Sequence, residues 1–354
     1  MREITVDDLP DIARGAAVLG TGGGGDPYIG RLLAQEAMRR HGPVPLVDPM
    51  DLPDDAVVIP TAVMGAPTVM LEKLPSGTEL VTALRALEDL IGKRATHTVS
   101  IEAGGLNSVI PFATAAEVGL PMVDADGMGR AFPELQMLMP TLGGISATPM
   151  AIADERGNAI SMTTLDNAWA ERFARTATIE MGCSSAVSLY ALTGKQTKEF
   201  MVHGTISLTQ RIGVAIREAA AAHRDPVAAT AEVLGGRRVF RGKLVDVRRG
   251  TEGGFARGEV RLEGLGEDLG SHLDIAVQNE NLVAVRDGVV LASVPDLICV
   301  LDTDTGEPVT TEMLRYGLRV SVVVAPCDPR WRSPEGLALT GPAYFGYDHE
   351  YVPV

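Results

Sequence analysis

THTVSIEAGGLNSVIPFATAAEVGLPMVDADGMGR, residues 96–130, is the stretch whose reading decides the fold. It begins with a short apolar, β-branched run at 96–102 and passes through Gly104-Gly105. An apolar, Ala-rich segment then runs from Asn107 to about Val118, and a second apolar run follows at 121–124. Strand, helix and strand in that order imply a parallel pairing covered by a helix. Upstream, short apolar runs at 44–47 and 56–62 and a helical pattern at 78–92 extend the alternation. The expectation is an α/β N-terminal domain with a mainly parallel sheet. Ligands of such sheets sit beyond the carboxyl ends of the strands. Two loops meet that condition here, 102–107 and 124–130.

Moving toward the N-terminus, residues 7–19 read as a capped amphipathic helix and 27–40 as a second one, joined by GTGGGGDP. Pro27 suits a first helical position, which needs no backbone N–H. Asp26 before it is a good cap for first-turn amides. The glycine run Gly22–Gly25 therefore lies in a helix–loop–helix corner. It lacks both the Gly-Lys-Ser/Thr of a phosphate loop and the preceding strand of a dinucleotide fingerprint. A tight turn, a nucleotide loop and an amide-lined anion or substrate loop all remain open, because consecutive glycines expose their N–H groups without side-chain cover.

Toward the C-terminus, 144–166 reads as a hairpin turning at Glu155–Asn158. Helical stretches are expected at about 167–178, 183–192 and 205–223. From Gly235 the texture changes to short alternating runs broken by Gly, Asp and Pro, the pattern of a β-rich unit. The expected division is an N-terminal α/β domain over 1–168 and a C-terminal part over 169–354, with a helical segment leading into the β-rich domain.

At 354 residues two structural units are the common arrangement. The formal charge of −15 and the lack of a long basic run argue against nucleic acid as a partner. No apolar stretch is long enough to span a membrane, and the N-terminus has no cationic segment followed by an apolar one. Cys183, Cys299 and Cys327 form no CxxC pair and read as reduced thiols, so a cytoplasmic enzyme is expected. Enzymes of this size are commonly symmetric homo-oligomers, and this one is expected to be so.

Several residues are candidates for chemistry. Glu102, at a strand end, is placed to act as a base, a metal ligand or a grip on substrate N–H groups, or else to cap the helix near Asn107. Asp124, Asp126 and Arg130 share the next loop, to bind a polar substrate or to pair with one another. Cys183, in Met-Gly-Cys-Ser-Ser ahead of an Ala/Val-rich segment, is read as a thiol at a helix N-terminus, where unpaired amides stabilise the thiolate. His203 is the preferred functional imidazole, with His97 second. No zinc spacing is present, so a divalent metal such as zinc would need scattered ligands, Cys183 and His203 among them. Gln278-Asn-Glu-Asn281 is a polar cluster in an apolar strand region that could face the site from the second domain.

At these residues the chain resembles the S-methyl thiohydantoin desulfurases, a family earlier associated with hydantoinase and oxoprolinase genes. The segments that carry the resemblance are GTGGGGDP (20–27), EAGGLNS (102–108), DADGMGRAFPELQM (124–137), MGCSS (181–185), QNENL (278–282), PDLICVLDTDTGEP (295–308), LRYGLRVSV (314–322) and GPAYFGYD (341–348). The resemblance implies two domains and hydrolysis of a small heterocycle, an S-methylated thiohydantoin, to a hydantoin and methanethiol, in breakdown of S-methylated ergothioneine-type compounds. A hydantoinase- or oxoprolinase-like amidohydrolase and a non-catalytic accessory subunit of one are the alternatives. With that chemistry, Cys183, His203, Glu102 and Asp126 are expected to be catalytic. Gly23, Gly24, Gly25, Asp26, Asn107 and Arg130 are expected to bind substrate, the glycine amides and Arg130 holding its carboxylate tail.

Overall fold

The computed structural model describes residues 1–65, 69, 73, 75–252 and 255–354. In chain order the elements used below are β1 (Arg2–Ile4), α1 (Leu9–Leu19), α2 (Tyr28–His41), β2 (Val44–Val47), β3 (Val57–Gly65), α3 (Thr78–Ile91), β4 (His97–Ser100), α4 (Ile110–Val118), β5 (Met122–Asp126), β6 (Met150–Ala153), β7 (Ala159–Met162), α5 (Asn167–Glu180), β8 (Ser184–Ser188), β9 (Leu192–Thr193), β10 (Val202–His203) and α6 (Thr205–Ala221). The second sheet follows with β11 (Arg237–Glu252), β12 (Phe255–Gly264), β13 (His272–Gln278), β14 (Glu280–Arg286), β15 (Val289–Ser293), β16 (Leu297–Asp302) and β17 (Arg319–Ala325).

The first sheet has the order β1-β2-β5-β4-β3-β8-β6-β7, with β10 on β5 and β9 on β3. Its centre, β2-β5-β4-β3, is parallel, and the flanking pairings are antiparallel. Parallel strands are buried on both faces, which is why Val58, Ile59, Val99 and Val123 are all inaccessible. Covering helices are needed, and α4 supplies one with seven of its nine residues buried. The second sheet, β15-β14-β13-β12-β11-β17-β16, is antiparallel throughout. It packs its own core of Phe240, Leu244, Leu262, Ile275, Val322 and Val324. An N-terminal α/β domain with a mainly parallel sheet is thus followed by a β-rich C-terminal domain with a few helices. Three short strands from beyond residue 168, β8, β9 and β10, join the first sheet.

One expected element differs. The stretch at 183–192, read as a helix, is extended: β8 pairs with both β3 and β6 and is buried along all of its length. A short apolar run without polar alternation does not separate a buried strand from a buried helix by periodicity, and two strand neighbours settled the outcome. The other difference is small. The helix expected from Asn107 starts as a 3-10 turn over Gly105–Ser108 and becomes α-helical at Ile110.

Candidate active site

A cavity of about 120 Å³ lies at the carboxyl ends of β3, β4 and β5, between the two sheets. The first domain contributes Gly24, Gly25, Glu102, Asn107 and the end of β3 (Ala62–Gly65). The second domain contributes Asn279, Glu280 and Glu312. The glycine run is the hinge point of this arrangement. Thr21 and Gly22 accept, through their carbonyls, the amides of Asn281 and Thr311 from the second domain, each at 2.7 Å. The Gly24 carbonyl accepts the Leu106 amide at 2.9 Å from the first domain. Side chains are excluded by contact: a Cβ on Gly23 would sit 2.1 Å from Oε1 of Glu280, and one on Gly105 would sit 2.3 Å from the Gly24 carbonyl carbon.

The polar groups of the cavity are chiefly carboxyls. Glu102 is buried, and its Oε1 accepts from Nδ2 of Asn107 at 2.7 Å. Asn107 is locked to the end of β3, since it accepts from the Val63 amide (2.7 Å) and donates to the Val63 carbonyl (3.0 Å). Burial pushes the Glu102 carboxyl well above the usual carboxylate range, and the nearby Glu280 and Asp126 carboxyls push the same way against the Asn107 hydrogen bond. Glu280 is also buried, and desolvation raises it to about 8, although the Arg130 guanidinium, its own amide and the Gly24 amide favour its charged form. Burial likewise raises Glu312.

Asp126 and Arg130 stand behind the cavity, not on its wall. Oδ2 of Asp126 accepts three amides, from Ala103 (2.7 Å), Met128 (2.9 Å) and Gly129 (2.7 Å), and so ties the two strand-end loops together. Burial outweighs those three donors and lifts its pKa to about 7. Arg130 is completely buried and lies over the Phe132 ring at 4.7 Å. Its N–H groups go to the carbonyls of Ala131, Pro295 and Asp296 and to the Thr21 hydroxyl. A guanidinium with four of its five N–H groups so committed holds loops of the two domains together from behind the cavity wall.

The expected anion pocket is filled by the chain itself. The Gly24 amide is directed at Glu280, and the glycine loop faces Glu102, Glu280 and Glu312, an environment that disfavours a substrate carboxylate. Gly23 abuts Glu280, Gly24 and Gly25 line the cavity, and Asp26 lines it while accepting from the Tyr28 amide at 2.8 Å, one position into the helix from the expected cap.

Cys183 is not at a helix N-terminus. It follows the C-terminal end of α5, where its amide donates to the Thr178 carbonyl (2.8 Å), and it holds a left-handed φ of 63° before β8. The amide field invoked for its thiolate is absent, because the segment after it is a strand. Its backbone lies against Gly65, and it is not among the described residues that line the cavity. His203 lies on β10 with an exposed side chain, near Asp328 and away from the cavity wall. Among the described residues no three His, Cys, Asp or Glu side chains are grouped to hold a metal ion. Cys183 and His203 thus do not make the expected metal site. Asp124 caps α6, accepting from the amide and hydroxyl of Ser207.

Sequence reasoning missed Glu312, Glu134, Glu171 and Arg175 on the cavity wall. Arg175 pairs with Glu171, donates to the Pro133 carbonyl (3.1 Å) and stacks on Phe255 at 4.3 Å. Glu280 sat inside the polar cluster 278–281, whose only signal was four polar residues interrupting an apolar stretch.

Fold and site together define a two-domain α/β–β protein with a buried, acid-lined cleft where the domains meet. Residues 7–164 match the N-terminal domain and residues 165–354 the C-terminal domain of the S-Me-THD-like family. The chain belongs to that family. A protein from Chromobacterium violaceum, known from an X-ray crystal structure, has the same fold. The TM-score is 0.82 at 24% identity, over 100% of both chains. No curated protein matches the chain. Among the described residues no helix is long and apolar enough to cross a membrane.

Proposed function

We propose that the chain hydrolyses the C–S bond of an S-methyl thiohydantoin, giving a hydantoin and methanethiol. The observation that carries this reading is the pair of buried carboxyls, Glu102 and Glu280, at one end of a small cavity with apolar walls from Met64, Ile101, Met128 and Leu135. The reacting carbon of such a ring is amidine-like, bonded to two nitrogens and a thioether. Glu102, held neutral by its burial, donates its proton to a ring nitrogen and makes that carbon electrophilic. Glu280, ionised once the ring carries positive charge beside it, takes a proton from the attacking water. The tetrahedral adduct returns its hydroxyl proton to Glu102 as the carbonyl forms, and the departing methanethiolate takes the proton from Glu280. One water is consumed, and both carboxyls are restored. Asn107 keeps the Glu102 carboxyl aimed at the ring.

The purified chain, assayed alone, is expected to release thiol from S-methyl thiohydantoin propionate and to leave hydantoins closed. Ring-opening without thiol release would overturn this reading in favour of an amidohydrolase. Inactivity on both would favour an accessory role.

A further inference from the structure

The cleft is unbalanced in charge. Asp26, Glu102, Glu134, Glu171, Glu280 and Glu312 line it, and Arg175 is the one basic side chain among its described lining residues. That cation is already paired with Glu171 and stacked on Phe255. Arg130, behind the cavity wall, has committed four of its five N–H groups to three carbonyls and a hydroxyl. Glu134 accepts from the Tyr344 hydroxyl at 2.7 Å, and Asp26 from the Tyr28 amide. Glu102, which accepts from Asn107, Glu312, which accepts from the Thr311 hydroxyl, and Glu280 are left without a cation on the cavity wall to pair with. A second observation points the same way: Oε2 of Glu280 is buried and has no hydrogen-bond partner among the described residues. A buried acceptor without a donor is destabilising, and a ligand bringing N–H groups would offset that.

We infer that this cleft receives a planar cation of the amidinium or guanidinium class, its N–H edge set across Glu102 and Glu280. The inference deepens the proposed function and rests on it for the choice of a five-membered ring. A neutral ring leaves both carboxyls to keep their protons, because two close carboxylates in a dry site repel. A cationic ring supplies the missing charge and lets one of them ionise, so binding expels a proton. The groups that face Glu280 are Glu102, Arg130, Glu312 and the Gly24 amide. Those that face Glu102 are Glu280, Asp126, Asn107 and the Phe132 amide. Ionising Glu102, Glu280 and Glu312 against Arg130 alone leaves an excess of negative charge that a ligand cation fits. The ring-protonated, isothiouronium-like form that Glu102 generates in the proposed reaction is then the form the cleft holds.

Calorimetric titration of the whole chain near pH 7, in two buffers of different ionisation heat, tests this with 2-aminoimidazolinium against the neutral 2-imidazolidinone of the same size. The cation is expected to bind at least about tenfold more tightly and to release protons. Glu280→Gln and Glu102→Gln are each expected to abolish most of that preference. Equal affinity, no binding of the cation, or binding without proton release would overturn the inference, and these outcomes need no variant to be folded. Preference retained in both variants would also overturn it. The thiol-release assay on the same preparation separates the two ideas. Cation preference without thiol release sinks the reaction and leaves the inference, and thiol release without cation preference does the reverse.

Discussion

At the scale of single residues, Glu102 and Cys183 are the informative contrast, because both were chemical candidates and the fold treats them oppositely. Glu102 is buried on the cavity wall and held by Asn107, while Cys183 is not among the described residues that line the cavity. Glu102→Gln keeps an acceptor for Asn107 and removes the transferable proton. It is expected to lower thiol release by about 100-fold or more with the melting transition preserved. Cys183→Ala is expected to leave turnover within about threefold; a loss as large as that of Glu102→Gln would restore the thiol as nucleophile. Glu280 gives a pH prediction. The unfolded chain loses this proton near the ordinary 4.5 and the folded chain near 8, so between those values the folded state binds more protons. Stability therefore falls as pH rises through that window. Melting temperatures measured from about pH 5 to about pH 8 are expected to decline, and Glu280→Gln is expected to flatten that slope.

At the scale of elements, the site is made by two glycine loops touching backbone to backbone, Gly22–Gly25 after α1 and Gly104–Gly105 after β4. Gly105 and Gly119 are matched probes, with φ of 68° and 72°. A Cβ on Gly119 meets nothing within 4 Å, and one on Gly105 meets Gly24 at 2.3 Å. Both Ala variants carry the left-handed strain of about 1–2 kcal/mol, so their difference isolates the clash. Gly105→Ala is expected to be less stable than Gly119→Ala by about 1–3 kcal/mol in chemical denaturation, and equal losses would mean that the loops do not press on each other. These loops were legible in the sequence, since strand–helix alternation placed 102–107 at a strand end and Pro27 with Asp26 marked the start of α2. β8 was not legible: Ser184–Ser188 is short and buried on both sides, and its extended form is chosen by β3 and β6. Local pattern carries no trace of a partner more than a hundred residues away.

At the scale of the whole molecule, the same limit explains Arg130. Its sequence neighbours suggested a partner for Asp124 or Asp126, yet its N–H groups reach Pro295 and Asp296 of the second domain and Thr21 of the glycine corner. Three segments brought together only by folding converge on one buried guanidinium. A planar fork suits that convergence better than an ammonium could. With the Asn281–Thr21 and Thr311–Gly22 backbone bonds, it fixes how the second domain closes over the cavity. Removing it would leave three carbonyls and a hydroxyl without that donor and Glu280 without the cation that favours its charged form. Arg130→Met is therefore expected to cost about 3–5 kcal/mol and to weaken the coupling between the domains. Scanning calorimetry should show one transition for the wild-type chain and two for the variant, with Arg130→Lys intermediate. A single transition for Arg130→Met, shifted by less than about 1 kcal/mol, would mean that the domains are held by their backbone contacts alone. The cleft's closure would then be set by the glycine corner and not by the buried cation.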